Sequence, residues 1–324
     1  MKAAVYERYG PPEVVSIRDV PTPTPTDGEV LIRIRATTVS TGDWRARSLE
    51  MPPGFGPFAR LAFGISRPRQ PILGTELSGI IEAVGEGVNA FSVGDEVFAF
   101  ADARMGCHAE FRCIPANGLV VRKPTNLSFE QAAALSFGGM TMLSFFRRGA
   151  LASGERVLVN GASGTVGSAA VQLARHFGAE VTAVCSRANV ELVRGIGAHH
   201  VIDYGSADFT ANGETYDVIV DTVGNAGYSR VRRSLAKRGR LLVVLGGFVD
   251  LVLSPLAGRT GGHRVIAGPA IARVEDVHRL AEIAAARAFT PVIDQTYPLE
   301  RIVDAHHRVA TGRKRGSVVV TVGA

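Results

Sequence analysis

The sequence has 324 residues and a formal net charge of +6, with 46% apolar and 20% charged residues. A chain of this length favours two domains, and this composition is typical of a globular protein. No apolar run reaches the ~20 residues that a membrane-spanning helix needs, and the N-terminus has no signal-peptide core. We therefore expect a cytoplasmic protein without a membrane partner. The basic residues are spread along the chain without a nucleic-acid-binding motif, so we expect no nucleic acid among its partners.

The cysteines also exclude two kinds of protein. There are three of them, Cys107, Cys113 and Cys185. An odd and low count argues against a disulfide framework. No Cys-x-x-Cys pair occurs, which argues against a clustered structural zinc site.

The chain up to about residue 120 has the pattern of a β-rich domain. Residues 30–36 alternate in period two and place Arg33 and Arg35 on one face. Two further apolar runs, 79–84 and 96–100, are separated by Gly-rich turns. Short strands joined by such turns predict a barrel-like or sandwich domain.

After residue 124 the pattern changes to alternating strands and helices. Ser128 followed by Gln131 predicts a helix cap before an Ala-rich helix at 130–135. The predicted strands are 157–160, 181–185, 200–203, 217–221, 240–245 and 264–267, with a helix at 167–177 after the first. These apolar runs are short and nearly continuous, as strands buried on both faces require. They predict a doubly wound α/β domain with a parallel sheet.

The tail completes the predicted organisation. Helices are expected at about 274–287 and 299–310, and strands near 290–296 and 317–322. We expect the tail to return to the N-terminal domain. The fold class is therefore α/β, with a discontinuous β-rich domain (1–122 and 274–324) and a Rossmann domain (123–273).

A Gly-rich loop between the strand at 157–160 and the following helix predicts a dinucleotide site. It consists of Gly161, Ala162, Ser163, Gly164, Thr165, Val166 and Gly167. Gly164 would let the backbone approach a pyrophosphate, and Gly167 would let the helix pack closely. Ala162 replaces the first glycine of G-x-G-x-x-G, and we expect this small residue to permit the tight turn there. The amides of Thr165 and Val166 lie at the helix N-terminus, where the helix dipole favours anions. A turn without a ligand is the simpler alternative, but strand, loop and helix coincide here.

The end of the second predicted strand indicates which dinucleotide binds. A site specific for NAD usually places Asp or Glu there to hold the ribose 2′-hydroxyl, whereas this chain has Ser186 and Arg187. A hydroxyl and a guanidinium can bind a 2′-phosphate, so we predict NADPH. Tyr204, after the third strand, could add a contact to that phosphate. The alternative is that Arg187 is a solvated surface residue.

Several motifs together resemble the medium-chain dehydrogenase/reductase superfamily, in particular its zinc-independent quinone oxidoreductase branch. They are residues 1–4, 11–14, 74–79 (GTELSG), 84–88 (VGEGV), 93–97 (VGDEV), 195–198 (GIGA), 221–224 (DTVG) and 316–322. The resemblance covers essentially the whole chain and keeps the order of the motifs. It implies a GroES-like catalytic domain interrupted by a Rossmann domain, with the active site between them, and a homodimer.

The resemblance also implies that no metal is bound. Zinc-dependent members of the superfamily have zinc ligands at the positions of Ser40, Thr75 and, approximately, Phe137. None of these side chains can replace a thiolate or an imidazole. Without a Lewis acid, ordinary alcohol oxidation loses the feature that polarises its carbonyl.

Candidate catalytic residues follow from the same resemblance. Ser40 stands where quinone reductases usually have Asn and could donate one hydrogen bond to a substrate, although it could equally be a residue of a turn. Asp43 is expected to cap a helix that begins at Trp44. Thr141 matches a position on the nicotinamide side, with a helix-interior Thr as the alternative.

Further cofactor contacts are expected after the fourth and fifth strands of the Rossmann domain. The resemblance implies that the loop of Leu245, Gly246, Gly247 and Phe248 reaches the nicotinamide carboxamide through backbone atoms. Asn225 is expected to line the same site. None of the histidines belongs to a shared motif, so none is assigned a role.

Residues 51–69 contain aromatic side chains among Pro and Gly. Phe55, Phe58 and Phe63 could form an apolar wall or lid for a substrate in an irregular loop. The alternative is a small apolar cluster under that loop.

These observations predict an NADPH-dependent, zinc-independent oxidoreductase that transfers hydride to a quinone or an α,β-unsaturated carbonyl. In such substrates the electrophile is part of the molecule, and the protein supplies orientation and electrostatics. A zinc-free alcohol or carbonyl reductase on the same scaffold is one alternative. A non-catalytic NADPH-binding sensor is another, because a fold does not determine a function.

Overall fold

The computed structural model describes residues 1–247 and 262–323. The chain divides into two compact units. The first unit comprises Met1–Met51, Gly56–Phe137 and Ala272–Ala324, and the second comprises Pro52–Phe55 and Gly138–Ile271. Within the described ranges, no helix combines the length and the apolar character that crossing a bilayer requires.

The secondary structure alternates as an α/β chain does. The strands are β1 Lys2–Tyr6, β2 Val15–Asp19, β3 Glu29–Val39, β4 Glu76–Val84, β5 Glu96–Phe100, β6 Phe111–Pro115, β7 Val120–Arg122, β8 Arg156–Asn160, β9 Glu180–Cys185, β10 His200–Asp203, β11 Tyr216–Asp221, β12 Leu235–Val243, β13 Arg264–Ile266, β14 Ile293–Pro298 and β15 Ser317–Thr321. The α-helices are α1 Thr41–Ser48, α2 Gly56–Phe63, α3 Phe129–Ala133, α4 Ser136–Gly149, α5 Thr165–His176, α6 Val190–Gly195, α7 Tyr228–Val231, α8 Val274–Ala285 and α9 Ile302–Ala310.

The first unit is built on a seven-stranded sheet. Its order is β14-β15-β3-β4-β5-β7, and β6 pairs with β3 outside this path. The alternation of β3 buries Val30, Ile32 and Ile34 in the core and leaves Arg33 and Arg35 half-buried on the other face. Strand β15 pairs antiparallel with β3, so the tail of the chain completes the sheet that the N-terminal residues begin.

The boundary between the units lies after α3 rather than at residues 122–123. Helix α3 packs Ala133 and Ala134 against Ala36 of β3 and Val319 of β15. Because this apolar contact belongs to the first unit, the chain up to Phe137 groups with that unit. A break in pattern after residue 124 reveals a change of element, but it does not reveal which core the next helix joins.

The second unit is a six-stranded, all-parallel sheet in the order β10-β9-β8-β11-β12-β13. This confirms the predicted Rossmann fold, whose strand order reverses direction at the first strand. Val157, Leu158 and Val159 of β8 are all fully buried, as expected for a strand covered on both faces. Ligands of such sheets bind at the carboxyl ends of the strands beside the reversal, which here are β8, β9 and β11.

Three predicted elements differ from the structure. Residues 51–69 are not wholly irregular, because they contain α2. The Pro and Gly residues of this segment led to the prediction of an irregular loop, but Pro57 lies in the first turn of α2, where a helix tolerates proline. Helix α1 begins at Thr41 rather than Trp44. The helix expected at 130–135 is α3, and α4 follows it almost at once.

Candidate functional site

The loop between β8 and α5 adopts a conformation that depends on glycine. Gly161 has a φ of +83°, and a Cβ there would lie 2.5 Å from Thr222 Oγ1. A Cβ on Gly167 would lie 2.1 Å from the Gly161 carbonyl oxygen. The tight turn expected at Ala162 is therefore made by Gly161, since only glycine adopts that backbone conformation without strain, while Ala162 is fully buried. Gly167 permits the close packing that the sequence predicts.

Gly164 leaves room for a ligand beside the loop. It is the N-cap of α5, with extended backbone and no side-chain cap. The nearest atom to a Cβ placed there is the Gly161 carbonyl oxygen at 3.7 Å. Because Gly164 has no side chain, no cap oxygen competes with an anion for the first amides of α5, including those of Thr165 and Val166.

Hydrogen bonds fix the loop beside β9. The amides of Gly161 and Ala162 donate to the Val184 carbonyl over 3.1 and 3.0 Å. The side chain of Asn189 donates from Nδ2 to Ser163 Oγ over 2.9 Å. Sequence reasoning missed Asn189, because nothing in its local pattern shows which loop its side chain reaches.

The carboxyl ends of β9 and β10 bring together the three residues predicted to select the cofactor. Ser186 is half-buried and directly follows β9, and Arg187, in the short 3-10 turn that comes next, is exposed. Tyr204 follows β10, and its amide donates to the Cys185 carbonyl over 3.1 Å. Tyr204 is exposed, so its ring can reach a ligand. The arrangement presents one hydroxyl, one guanidinium and one phenol at neighbouring strand ends.

The carboxylate of Asp203 lies at these strand ends, and it was not identified from the sequence. Asp203 is the last residue of β10 and is in register with Cys185. Its Oδ1 accepts a hydrogen bond from the Gly205 amide over 2.9 Å, which turns the carboxylate toward its own loop. Burial, followed by the charge of Asp203, raises the pKa of the Cys185 thiol to about 11. Cys185 is therefore an inert thiol at neutral pH.

Asn225 is held by a polar network after β8 and β11. The buried carboxylate of Asp221 accepts hydrogen bonds from Asn160 Nδ2 at 2.9 Å and from the amides of Val223 and Ala226 at 3.0 and 2.8 Å. Asn160 Nδ2 also donates to Asn225 Oδ1 over 2.8 Å. This network fixes Asn225 at the exposed carboxyl edge of the sheet, next to the strand that carries the phosphate loop.

The remaining cofactor residues lie after β12 and on α4. Leu245, Gly246 and Gly247 are half-buried after the end of β12, whereas Phe248 lies outside the described residues. A Cβ on Gly138 of α4 would lie 2.7 Å from the Thr165 carbonyl oxygen, so α4 runs close to the start of α5. Thr141 is three residues further along α4 and shares that face of the helix.

In the first unit, Ser40 and Asp43 form a closed hydrogen-bonded pair. Ser40 is the buried N-cap of α1, and its hydroxyl and amide donate to Asp43 Oδ2 over 2.6 and 2.7 Å. The Asp43 amide donates back to Ser40 Oγ at 3.2 Å, and Asp43 Oδ1 accepts from the Gly74 amide at 2.8 Å. Asp43 thus caps a helix as expected, but from inside it, with Ser40 as the cap residue. Donation by the Ser40 hydroxyl to a substrate requires that its bond to Asp43 opens.

The positions that correspond to zinc ligands carry no metal-binding side chain. A Cβ on Gly42 would lie 3.2 Å from Ser40 Oγ and 3.3 Å from the Phe137 ring, so an apolar ring lies beside Ser40. Thr75 is buried, and its hydroxyl finds no hydrogen-bond partner among the described residues. Within residues 1–247 and 262–323, no group of three or more His, Cys, Asp or Glu side chains could hold a metal ion.

Glu76 is a buried carboxyl that sequence reasoning did not single out. It accepts hydrogen bonds from the Thr38 hydroxyl and from the Phe137 amide in the first turn of α4. Desolvation is the largest influence and raises the pKa of Glu76 to about 7, with Asp43 acting in the same direction and Thr38, Phe137 and Lys314 opposing it. An acidic residue at the buried start of a largely apolar strand was the available signal.

The three phenylalanines of residues 51–69 have different surroundings. Phe63 packs against the core of the first unit, in agreement with the alternative that these aromatic residues form an apolar cluster under the loop. Phe58 is 55% exposed on α2, and Phe55 is half-buried in the segment before that helix. Phe58 therefore retains the surface that a substrate wall or lid needs, and Phe63 is part of the core.

Comparison with known families agrees with this architecture. The family described as "Alcohol dehydrogenase GroES-like domain" matches residues 26–125, and the family described as "Zinc-binding dehydrogenase" matches residues 196–320. The first match confirms that the β-rich unit is GroES-like. The second carries zinc in its description, whereas the zinc-ligand positions of this chain carry Ser40, Thr75 and Phe137.

Several similar proteins are named as reductases or oxidoreductases. A quinone oxidoreductase of Rattus norvegicus is 31% identical, over 99% of this chain and 97% of the relative. A 2-methylene-furan-3-one reductase of Solanum lycopersicum is also 31% identical, over 99% of this chain and 79% of the relative. A solved mycobacterial structure complexed with NADPH has a TM-score of 0.80 and 26% identity, over 99% of this chain and all of that one. Other relatives are described as chloroplastic or mitochondrial, so the cytoplasmic location stays a prediction.

Proposed function

The chain belongs to the medium-chain dehydrogenase/reductase superfamily, and we propose that it is an NADPH-dependent, zinc-independent reductase of quinones or α,β-unsaturated carbonyls. The observation that carries this proposal is the carboxyl end of β9, where Ser186 and Arg187 stand beside the phosphate loop. The family and its relatives support the coarser statement that the protein is an oxidoreductase using a nicotinamide cofactor.

Electrostatics favour NADPH over NADH at this strand end. A 2′-phosphate adds negative charge next to the Arg187 guanidinium, which can form charge-assisted hydrogen bonds with its oxygens. The Ser186 hydroxyl and the exposed Tyr204 phenol add donors on the same edge. The nearest in-register carboxylate, Asp203, ends β10 rather than β9, whereas the carboxylate that holds a ribose 2′-hydroxyl usually stands at the end of the second strand.

The phosphate loop has the shape that a dinucleotide requires. Gly161 and Gly167 hold the turn tightly against the sheet, and Gly164 leaves space above the first amides of α5. We assign the pyrophosphate to this space. Bound there, the cofactor supplies a hydride, and the loop of Leu245, Gly246 and Gly247 and the neighbouring Asn225 and Thr141 orient its nicotinamide half.

The substrate class follows from what the first unit lacks. Ser40, Thr75 and Phe137 provide no Lewis acid, so a substrate must carry its own electrophile. A quinone or an enone does so through its conjugated carbonyl, and the Solanum lycopersicum relative is named for 2-methylene-furan-3-one, an alkene conjugated to a ketone. We assign to Ser40, once its bond to Asp43 opens, a hydrogen bond to the substrate carbonyl. We assign to Phe58 and Phe55 parts of an apolar substrate wall. The homodimer implied by the resemblance remains part of this proposal.

One screen tests the proposal against its alternatives. The purified protein is mixed with NADPH, and absorbance of the reduced cofactor is followed with a quinone, an enone, a saturated aldehyde and a saturated ketone. We expect oxidation with the quinone or the enone only. Turnover of the saturated carbonyls would favour the carbonyl reductase, and binding of NADPH without turnover of any acceptor would favour the sensor.

A further inference from the structure

The two elements that must hold one NADPH molecule are far apart in sequence. The phosphate loop ends at Gly167, whereas Ser186 and Arg187 follow β9. One ligand has to contact both, because its pyrophosphate and its 2′-phosphate are attached to the same ribose. The distance between the two elements therefore matters for NADPH, while NADH depends far less on the second element.

Among the described residues, the backbone hydrogen bonds between the loop and β9 lie at the beginning of the loop. The amides of Gly161 and Ala162 donate to Val184 in β9. Beyond Ala162 the link changes to a side chain, because Asn189 Nδ2 donates to Ser163 Oγ over 2.9 Å.

Asn189 is joined at its other end to the turn that carries Arg187. Its backbone amide donates to the Ser186 carbonyl over 2.9 Å and closes the 3-10 turn Arg187–Asn189. One residue thus connects the middle of the phosphate loop with the residues proposed to bind the 2′-phosphate.

The Asn189 side chain depends on Ser163 for its orientation. Its Oδ1 atom is buried and finds no hydrogen-bond partner among the described residues. Because Oδ1 forms no second hydrogen bond among the described residues, the bond from Nδ2 to Ser163 is the side-chain hydrogen bond that orients Asn189. Removing the Ser163 hydroxyl removes that restraint.

We propose that Asn189 is a positioning residue for cofactor selection, which sets the distance between the phosphate loop and Arg187 through its bond to Ser163. This inference rests on the proposed preference for NADPH. Loss of the bond lets the two elements drift, so a ligand that must contact both loses more affinity than a ligand that contacts the loop alone. The hydride step is unaffected once the cofactor is bound.

The test compares Kd for NADPH and NADH, measured by calorimetry, in the wild type, Asn189→Ala, Ser163→Ala and the double variant. We expect each single variant to lower the ratio of NADH Kd to NADPH Kd by about threefold to tenfold, the value of one hydrogen bond. The double variant should lower it no further, since both changes remove the same bond. In Asn189→Ala the KM for NADPH should rise, while kcat at saturating NADPH stays unchanged.

Asn212→Ala is the matched control. Asn212 also donates a side-chain hydrogen bond, to Tyr216, but it precedes the amino end of β11, whereas the phosphate loop and Arg187 follow the carboxyl ends of their strands. The ratio of NADH Kd to NADPH Kd in Asn212→Ala should equal that of the wild type. Since Ser163→Ala removes only a hydroxyl, it keeps the test available if Asn189→Ala fails to fold.

The outcomes separate this inference from the function on which it rests. A wild type that binds NADPH and NADH equally well overturns both. A wild type that prefers NADPH, with a preference that survives both single variants, overturns the positioning role of Asn189 alone. Additive losses in the double variant also overturn it, because they would mean that the two residues act separately.

Discussion

The carboxylate of Glu76 accepts a hydrogen bond from the amide of Phe137, in the first turn of α4. Burial favours the neutral form of the Glu76 carboxyl and raises its pKa to about 7. In the unfolded chain the pKa of the same carboxyl is near its ordinary value of 4.5. The folded state therefore holds one more proton than the unfolded state between these two pH values.

The sign of the pH dependence follows from that proton. The contribution of Glu76 to stability is complete below about pH 4.5 and is lost as the pH rises toward 7. We expect Glu76→Gln to flatten this decline, by up to about 3 kcal/mol between about pH 4.5 and 7.5. Lys314, whose pKa is lowered to about 8 by burial, stays charged over most of this range. The measurement is urea unfolding at several pH values, and equal slopes for the two proteins would contradict the role of Glu76.

His306 should produce a pH dependence of the opposite sign. It is fully buried in α9, neither ring nitrogen has a hydrogen-bond partner in the described part of the chain, and its ring meets that of His108 at 5.8 Å. Burial, then His108 and Arg47, hold the pKa of His306 well below 6.5. The unfolded state therefore binds the proton first, and stability falls as the pH drops below about 6.5.

We expect His306→Leu to reduce this loss of stability in acid. The melting temperature of the variant should exceed that of the wild type at about pH 5.5 and approach it above about pH 7.5. His307→Leu is the control, because His307 is exposed and pairs with Glu13 instead. If the His306 and His307 variants show the same pH profile, the buried imidazole is not the cause.

Zinc should be absent from the active protein. The side chains of Ser40, Thr75 and Phe137 cannot supply a tetrahedral ligand set. We expect elemental analysis of the purified protein to give a zinc content near zero per chain, and a strong chelator to leave turnover unchanged. One equivalent of zinc that tracks with activity would overturn the zinc-independent assignment.

Local sequence patterns predict the elements that are local in the structure. The β8 strand, the loop from Gly161 and helix α5 are consecutive, so their spacing alone indicates a phosphate site. The parallel sheet also follows from the sequence, because strands buried on both faces leave continuous apolar runs such as Val157 to Val159. The position of the tight turn, at Gly161 rather than Ala162, could not be predicted, since it depends on the backbone dihedral angles of the loop.

Contacts between distant residues are not visible in the sequence. The bond from Asn189 to Ser163 joins residues 26 positions apart, and that from Phe137 to Glu76 spans 61 positions. No local motif around any of these residues indicates its hydrogen-bond partner. For the same reason Asp43 was expected only as a helix cap, whereas it also accepts a hydrogen bond from the Gly74 amide of a different segment.

Arg187 should control the choice of cofactor. Removing its guanidinium takes away charge-assisted hydrogen bonds to a 2′-phosphate, which NADH lacks. We expect Arg187→Ala to lower the ratio of kcat/KM with NADPH to that with NADH by about tenfold to a hundredfold. Lys237→Ala is the control, because it removes the same charge from an exposed position elsewhere in the second unit. An unchanged ratio in Arg187→Ala would mean that Arg187 is only a solvated surface residue.

Two glycines of the phosphate loop should separate folding from cofactor binding. A Cβ at Gly167 meets the Gly161 carbonyl oxygen at 2.1 Å, a backbone atom that cannot yield without moving the loop. A Cβ at Gly164 meets nothing closer than 3.7 Å and points into the space assigned to the pyrophosphate. We therefore expect Gly167→Ala to lower both the melting temperature and NADPH affinity, and Gly164→Ala to weaken NADPH binding while the melting temperature of the unliganded protein stays close to that of the wild type. Gly195→Ala, with no atom within 4 Å of the added methyl, should change neither. If Gly164→Ala binds NADPH as tightly as the wild type, the pyrophosphate does not lie against this part of the loop, because a methyl group on a contacting glycine cannot be accommodated without displacing the ligand.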